Sequence, residues 1–114
     1  MIQIYHNPRC SKSRETLKLL QSKGIEPEVI LYLETPPNVA TIKSLLKKMG
    51  KKPKEAMRTK EAEFKAQGLN GDDVSDAQLI EAMASTPKLI ERPIVVNGKK
   101  AALGRPPEQV LEIL

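Results

Sequence analysis

The 114-residue chain has the length of a single domain, residues 1–114, and is too short for two. One Phe, two Tyr and no Trp argue against recognition of single-stranded nucleic acid on stacked aromatic platforms. The net charge of +5 is carried largely by lysines, and Lys47, Lys48, Lys51, Lys52 and Lys54 crowd one helix end in the manner of a solvated surface. A single cysteine excludes an internal disulfide and favours a reducing compartment. No secretory leader pattern precedes the first apolar segment, and no run approaches the ~18 apolar residues of a membrane span. The expectation is a cytoplasmic monomer with no membrane or nucleic-acid partner.

Ile2–Tyr5 is rich in strand-forming residues and predicts a first strand, which His6-Asn7-Pro8-Arg9 breaks. Helical spacing of Leu17, Leu19 and Leu20 predicts a helix from Ser11 to about Lys23, with Gly24 at its end. Glu28–Leu33 reads as a second strand, which completes a right-handed βαβ unit. Asn38 is placed to cap a helix carrying Val39, Ile42, Leu45, Leu46 and Met49, ending at Gly50. The segment from Pro53 to Pro87 predicts only helices, over Pro53–Met57, Lys60–Gln67 and Ser75–Ser85. Ile94–Val96 and Lys100–Leu103 then read as a hairpin around an Asn97-Gly98 turn, and Glu108–Leu114 as a closing helix with Pro107 in its first turn. The order is that of a thioredoxin-like α/β fold. It has a four-stranded mixed sheet with its last strand antiparallel, flanking helices and a helical insertion.

Cys10 falls where the loop HNPRC enters the first helix. The unpaired N–H groups and positive dipole end of a helix start favour a thiolate, and this placement lowers a cysteine pKa from ~8.5 into the range ~3.5–7.5. Arg9, Lys12 and Arg14 add positive charge, Ser11 and Ser13 offer hydroxyls, and Asn7 can pin the loop. A lone cysteine is more often a small buried hydrophobe, but these flanks are polar. His6, four residues earlier, is within loop reach and suits stabilisation of the thiolate rather than proton relay. Position 13 is serine, so a C-x-x-C dithiol is excluded and any redox cycle needs an outside thiol.

Three arginines stand apart from the lysines. Arg58 follows a helical stretch, Arg92 precedes Pro93 and the third predicted strand, and Arg105 precedes Pro106 at the end of the hairpin. A guanidinium binds an oxyanion with two N–H groups at once, which an ammonium does not. Forks of this kind around a thiolate offset its repulsion of a doubly charged oxyanion. Pro93 is also a candidate cis-proline, an isomer that a sequence leaves open.

Taken together, HNPRCSKSR, YLETPP, Arg58, ERPIVV and GRPPE resemble, in order and over the whole chain, the arsenate reductases that use glutathione and glutaredoxin. The resemblance implies that Cys10 attacks arsenate to form a covalent thiol–arsenate adduct. It implies that Arg58, Arg92 and Arg105 bind the oxyanion, and that His6 and Ser13 keep the cysteine ionised. Glutathione is then the co-substrate, glutaredoxin reduces the mixed disulfide, and arsenite leaves. No metal and no tightly bound organic cofactor is implied. Two features depart from some relatives: an arginine at position 9 where they carry a small residue, and no longer C-terminal tail after Leu114.

Two other functions fit parts of the pattern. Thioredoxin-like regulators that bind RNA polymerase share the fold and an Arg-Pro strand start, but lack the His6-Asn7-Pro8 and Gly104-Arg105-Pro106 turns. A monothiol, glutathione-dependent disulfide reductase needs Cys10 but not three arginines.

Overall fold

The computed structural model describes residues 2–114. They form two compact units, one built from the chain up to Thr35 together with Arg92–Leu114, the other from Pro36–Glu91.

The first unit contains β1 (Ile2–His6), α1 (Ser11–Ser22), β2 (Glu28–Leu31), β3 (Ile94–Asn97) and β4 (Lys100–Leu103). The sheet order is β2-β1-β3-β4. β1 runs parallel to β2, with Ile4 opposite Val29, and antiparallel to β3, with Ile4 opposite Val95. β4 returns antiparallel to β3. This is the thioredoxin-like arrangement that the βαβ and hairpin pattern predicts. Ile4, Leu20, Val95 and Val110 are fully buried and form its core, with Leu17, Ile25, Ala102 and Ile113 packed around them. Burial of each such side chain contributes ~1.5–3 kcal/mol.

Ser13, Thr16 and Leu20 make the buried face of α1. Their spacing of three and four residues places them on one side of the helix. Two of the three are polar, so the face toward the sheet brings hydroxyls as well as hydrocarbon inside.

Boundaries in this unit differ from the sequence reading in several places. β1 runs one residue past Tyr5, because His6 still pairs with Leu31 of β2 instead of breaking the strand. β2 stops at Leu31, because the Leu31 carbonyl accepts from the N–H groups of both Glu34 and Thr35 and turns the chain. The hairpin loop is Gly98-Lys99, one residue later than expected, since Asn97 pairs with Lys100 as the last residue of β3. The Asn97 side chain is engaged elsewhere, where its Nδ2 donates to the Ile113 carbonyl at 2.7 Å and ties the hairpin to the C-terminal segment. Gly98 has φ +61°, so the glycine serves the first loop position, as in a type II′ turn. The closing segment Pro107–Ile113 is a 3-10 helix rather than an α-helix. Pro107, Val110 and Ile113 are three apart, which aligns them on one side of a helix with three residues per turn.

The second unit holds α2 (Val39–Met49), α3 (Ala62–Ala66) and α4 (Asp76–Ser85), with 3-10 turns at Pro53–Ala56 and Pro87–Leu89. Asn38 caps α2 by accepting from the Thr41 N–H at 2.8 Å, and Gly50 ends it with φ +66°. Ser75 and Gln78 form a reciprocal capping box at the start of α4. α2 packs on α4, and Ile42, Leu45, Leu46, Leu79, Ile80 and Met83 are buried. The middle predicted helix shrinks to Ala62–Ala66, and the stretch before it pairs instead: Met57 bridges Ile90 antiparallel, and the Arg58 N–H donates to the Leu89 carbonyl at 2.8 Å. Among the described residues no helix is long and apolar enough to cross a membrane.

Candidate active site at the start of helix α1

Cys10 is the N-cap residue of α1 and is partly buried. The loop before it is held at each residue. Asn7-Pro8-Arg9-Cys10 closes a turn in which the Cys10 N–H donates to the Asn7 carbonyl at 3.0 Å, with proline at its preferred second position. The Asn7 Oδ1 accepts from the Arg9 N–H at 3.0 Å, and the Arg14 guanidinium donates to the Pro8 carbonyl at 2.9 Å. The Asn7 N–H reaches forward to the Ser13 Oγ at 3.0 Å. A short polar loop thus fixes the direction in which Cys10 meets the helix.

Burial raises the energy of a thiolate here and is the largest single influence on the sulfur. It is outweighed by the Ser13 N–H, the Arg92 guanidinium, the Lys12 N–H and the Arg105 guanidinium, which together hold the Cys10 pKa below its ordinary value. No side-chain capping hydrogen bond closes on the first turn from Cys10. The two amides therefore act as aligned dipoles at the helix start, available to a negative sulfur.

The side chains named from the sequence divide into distinct roles. His6 ends β1, is buried, and lies with its Nδ1 2.6 Å from the Ser13 Oγ. Burial first, and the positive charge of Arg14 second, push its pKa below the ordinary histidine value. Both influences favour the neutral imidazole, whose contact is with Ser13. Ser13 is fully buried and joins the imidazole to the Asn7 backbone, while its own N–H faces the sulfur. Lys12 contributes through its amide, because its ammonium pairs with Glu15 at 3.6 Å.

Arg92 and Arg105 flank this site. Both precede cis-prolines, Pro93 and Pro106. The Arg105 Nη1 donates to the Arg92 carbonyl at 3.2 Å, and the Gly104 N–H donates to the Pro93 carbonyl at 3.0 Å. The two Arg-Pro turns are thus stitched to each other, and both guanidinium charges act on Cys10. Arg58 belongs to the second unit, where its Nη2 pairs with the Glu61 Oε1 at 2.7 Å.

Two residues of consequence escape the sequence reading. Thr16 is fully buried, donates from Oγ1 to the Lys12 carbonyl at 2.8 Å, and packs where a Cβ at position 104 would otherwise sit. Gly104 is small because Thr16 and Pro93 occupy that space. The spacing Ser13–Thr16–Leu20 carries the signal, one helix face of mixed polarity. Glu61 is the other; it stands three residues after Arg58, a separation at which opposite charges meet.

Known proteins resemble this chain in sequence and in fold. The ArsC family matches residues 5–113. The chain is 58% identical over 114 residues to the Escherichia coli K12 protein YfgD, itself uncharacterized, covering 99% of this chain and 96% of that one. It is 53% identical over 112 residues to an arsenate reductase of Haemophilus influenzae, covering 97% of each. A solved arsenate reductase from Vibrio cholerae superposes with a TM-score of 0.97 at 55% identity, over 99% of this chain and 97% of that one. With its thioredoxin-like sheet and its cysteine at the start of α1, the chain belongs to the ArsC family.

Proposed function

We propose that this protein reduces arsenate to arsenite through a covalent adduct on Cys10, with glutathione as co-substrate and glutaredoxin as the final reductant. The observation that carries this reading is the sulfur at the helix start, where two backbone amides and the Arg92 and Arg105 guanidiniums outweigh the cost of burial. A thiol whose pKa is held below its ordinary value is more readily ionised and so a better nucleophile, and its surroundings favour an approaching oxyanion. Arg58 is the third fork that the family resemblance assigns to that oxyanion.

The Cys10 thiolate attacks As(V) and expels an oxygen that leaves as water after protonation. Glutathione then replaces a second oxygen of the adduct, again as water. Arsenic takes up two electrons as the Cys10 and glutathione sulfurs join in a mixed disulfide, and the As(III) released with two oxygens takes back one water to depart as arsenite. Cys10 is the chain's one cysteine, so the mixed disulfide must be reduced from outside, the step that falls to glutaredoxin. His6 and Ser13 support the reaction by fixing the loop and the Ser13 amide.

The test is arsenate-dependent NADPH oxidation coupled through glutathione reductase and glutaredoxin. Turnover is expected with the native chain and none with Cys10→Ser. Reduction of a glutathione mixed disulfide without any response to arsenate would favour a monothiol disulfide reductase. Co-purification with RNA polymerase without arsenate turnover would favour the regulator.

A further inference from the structure

Arg58 is not presented to solvent as an isolated cation. Its backbone is fixed by the Met57–Ile90 bridge and by donation of its N–H to the Leu89 carbonyl. Its Nη2 lies 2.7 Å from the Glu61 Oε1, and both side chains are partly buried, 28% and 18% exposed. The other oxygen of Glu61 faces the Lys88 ammonium at 3.7 Å, and Lys88 also pairs with Glu63 at 3.2 Å. The order of charges is Arg58, Glu61, Lys88, Glu63. Glu61 therefore touches two cations through different oxygens and has a second partner if Arg58 turns away.

We propose that Glu61 is a resident counter-anion that lowers the affinity of Arg58 for an oxyanion, and that Lys88 opposes it by drawing off part of the Glu61 charge. The proposal rests on the reading of Arg58 as an oxyanion ligand. A carboxylate in direct contact with a guanidinium neutralises its charge locally and repels any anion that approaches the remaining N–H groups. Partial burial weakens solvent screening of that repulsion. Arg58 has five N–H donors, and one nitrogen is engaged by Glu61, so an oxyanion and Glu61 can share the guanidinium. The contact orients the fork, while its charge sets how strongly the fork attracts a ligand. Orientation and charge are separable, because glutamine in place of Glu61 keeps an oxygen that accepts from Nη2 and removes the negative charge.

The experiment measures the KM for arsenate in the coupled assay and the Kd for inorganic sulfate, an unreactive dianion, for the native chain and the variants Arg58→Ala, Glu61→Gln, Lys88→Met and Glu61→Gln/Lys88→Met. Glu61→Gln is expected to lower both constants about two- to fivefold with kcat unchanged, the scale of one partly exposed charge pair. Lys88→Met is expected to raise them about two- to threefold, since Glu61 then neutralises Arg58 alone. In the double variant the Lys88 effect should vanish, because Lys88 acts through Glu61. A purely structural contact would not give opposite signs for the two single variants. If Arg58→Ala weakens both ligands while Glu61→Gln leaves them unchanged or weaker, the counter-anion role is overturned and the oxyanion role of Arg58 stands. If Arg58→Ala changes neither constant, Arg58 is no oxyanion ligand and both readings fall.

Discussion

Ser13→Ala removes one oxygen from a fully buried position and should cost far more than the loss of an atom suggests. The Ser13 Oγ accepts from the Asn7 N–H at 3.0 Å and lies 2.6 Å from the His6 Nδ1. Alanine leaves both groups without that partner. An unsatisfied buried polar group costs about 1–3 kcal/mol. His6 is buried and belongs at the upper end, whereas Asn7 is only partly buried and belongs at the lower. The sum is about 2–4 kcal/mol, which for a chain of this length lowers Tm by roughly 8–16 °C. Urea unfolding followed by circular dichroism, with a parallel thermal scan, measures the loss. The same variant should raise the pH at which Cys10 becomes reactive, because the Asn7 loop and the first-turn amide lose their common anchor. A loss of stability below about 0.5 kcal/mol would refute the claim that this hydroxyl joins His6 to the loop.

Other outcomes follow from the same structure. His6 has a lowered pKa in the folded chain, so the unfolded chain binds its proton first as pH falls. Stability should therefore decline on acidification from the ordinary histidine pKa, ~6.5, down to the lowered folded value. Urea midpoints across that interval should flatten in His6→Gln; an equal slope in that variant would assign the dependence elsewhere. Arg92→Ala should shift the Cys10 reactivity midpoint upward and raise the arsenate KM about 10- to 100-fold, the weight of a charged hydrogen-bonding group; steady-state kinetics and alkylation rates check both. Leu20→Ala, at a fully buried core position, should cost about 2–5 kcal/mol in urea unfolding. Asn38→Ala should cost about 1 kcal/mol by removing the cap of α2.

The architecture is readable from the sequence wherever one local rule governs an element. The Ser11 helix, the Asn38 cap with Gly50 at the other end, and the β3–β4 pair all lie where spacing and capping residues place them. Sequence and structure part where a side chain has a second partner. Asn97 reads as a turn residue until its bond to Ile113 makes it the end of a strand. The closing helix is 3-10 because packing selects the three-residue spacing of Pro107, Val110 and Ile113 over α-helical propensity. In the site, the helix start marks Cys10, and the loop chemistry of Asn7 is visible in Asn-Pro. Lys12 acts otherwise than its charge suggests, since its amide reaches the sulfur while its ammonium pairs with Glu15. No spacing rule links Thr16 to Gly104, 88 residues later, and only the folded chain brings them together. Arg92 and Arg105 are legible as forks beside prolines, but their mutual bond is not.

The most direct test is the pH dependence of alkylation of Cys10 by iodoacetamide, followed by mass spectrometry of the modified peptide. A thiolate held by the Ser13 and Lys12 amides and by Arg92 and Arg105 should react with a midpoint clearly below the ordinary thiol value of ~8.5, and arsenate should slow the reaction. A midpoint at or above that value, with no protection by arsenate, would contradict Cys10 as the oxyanion nucleophile.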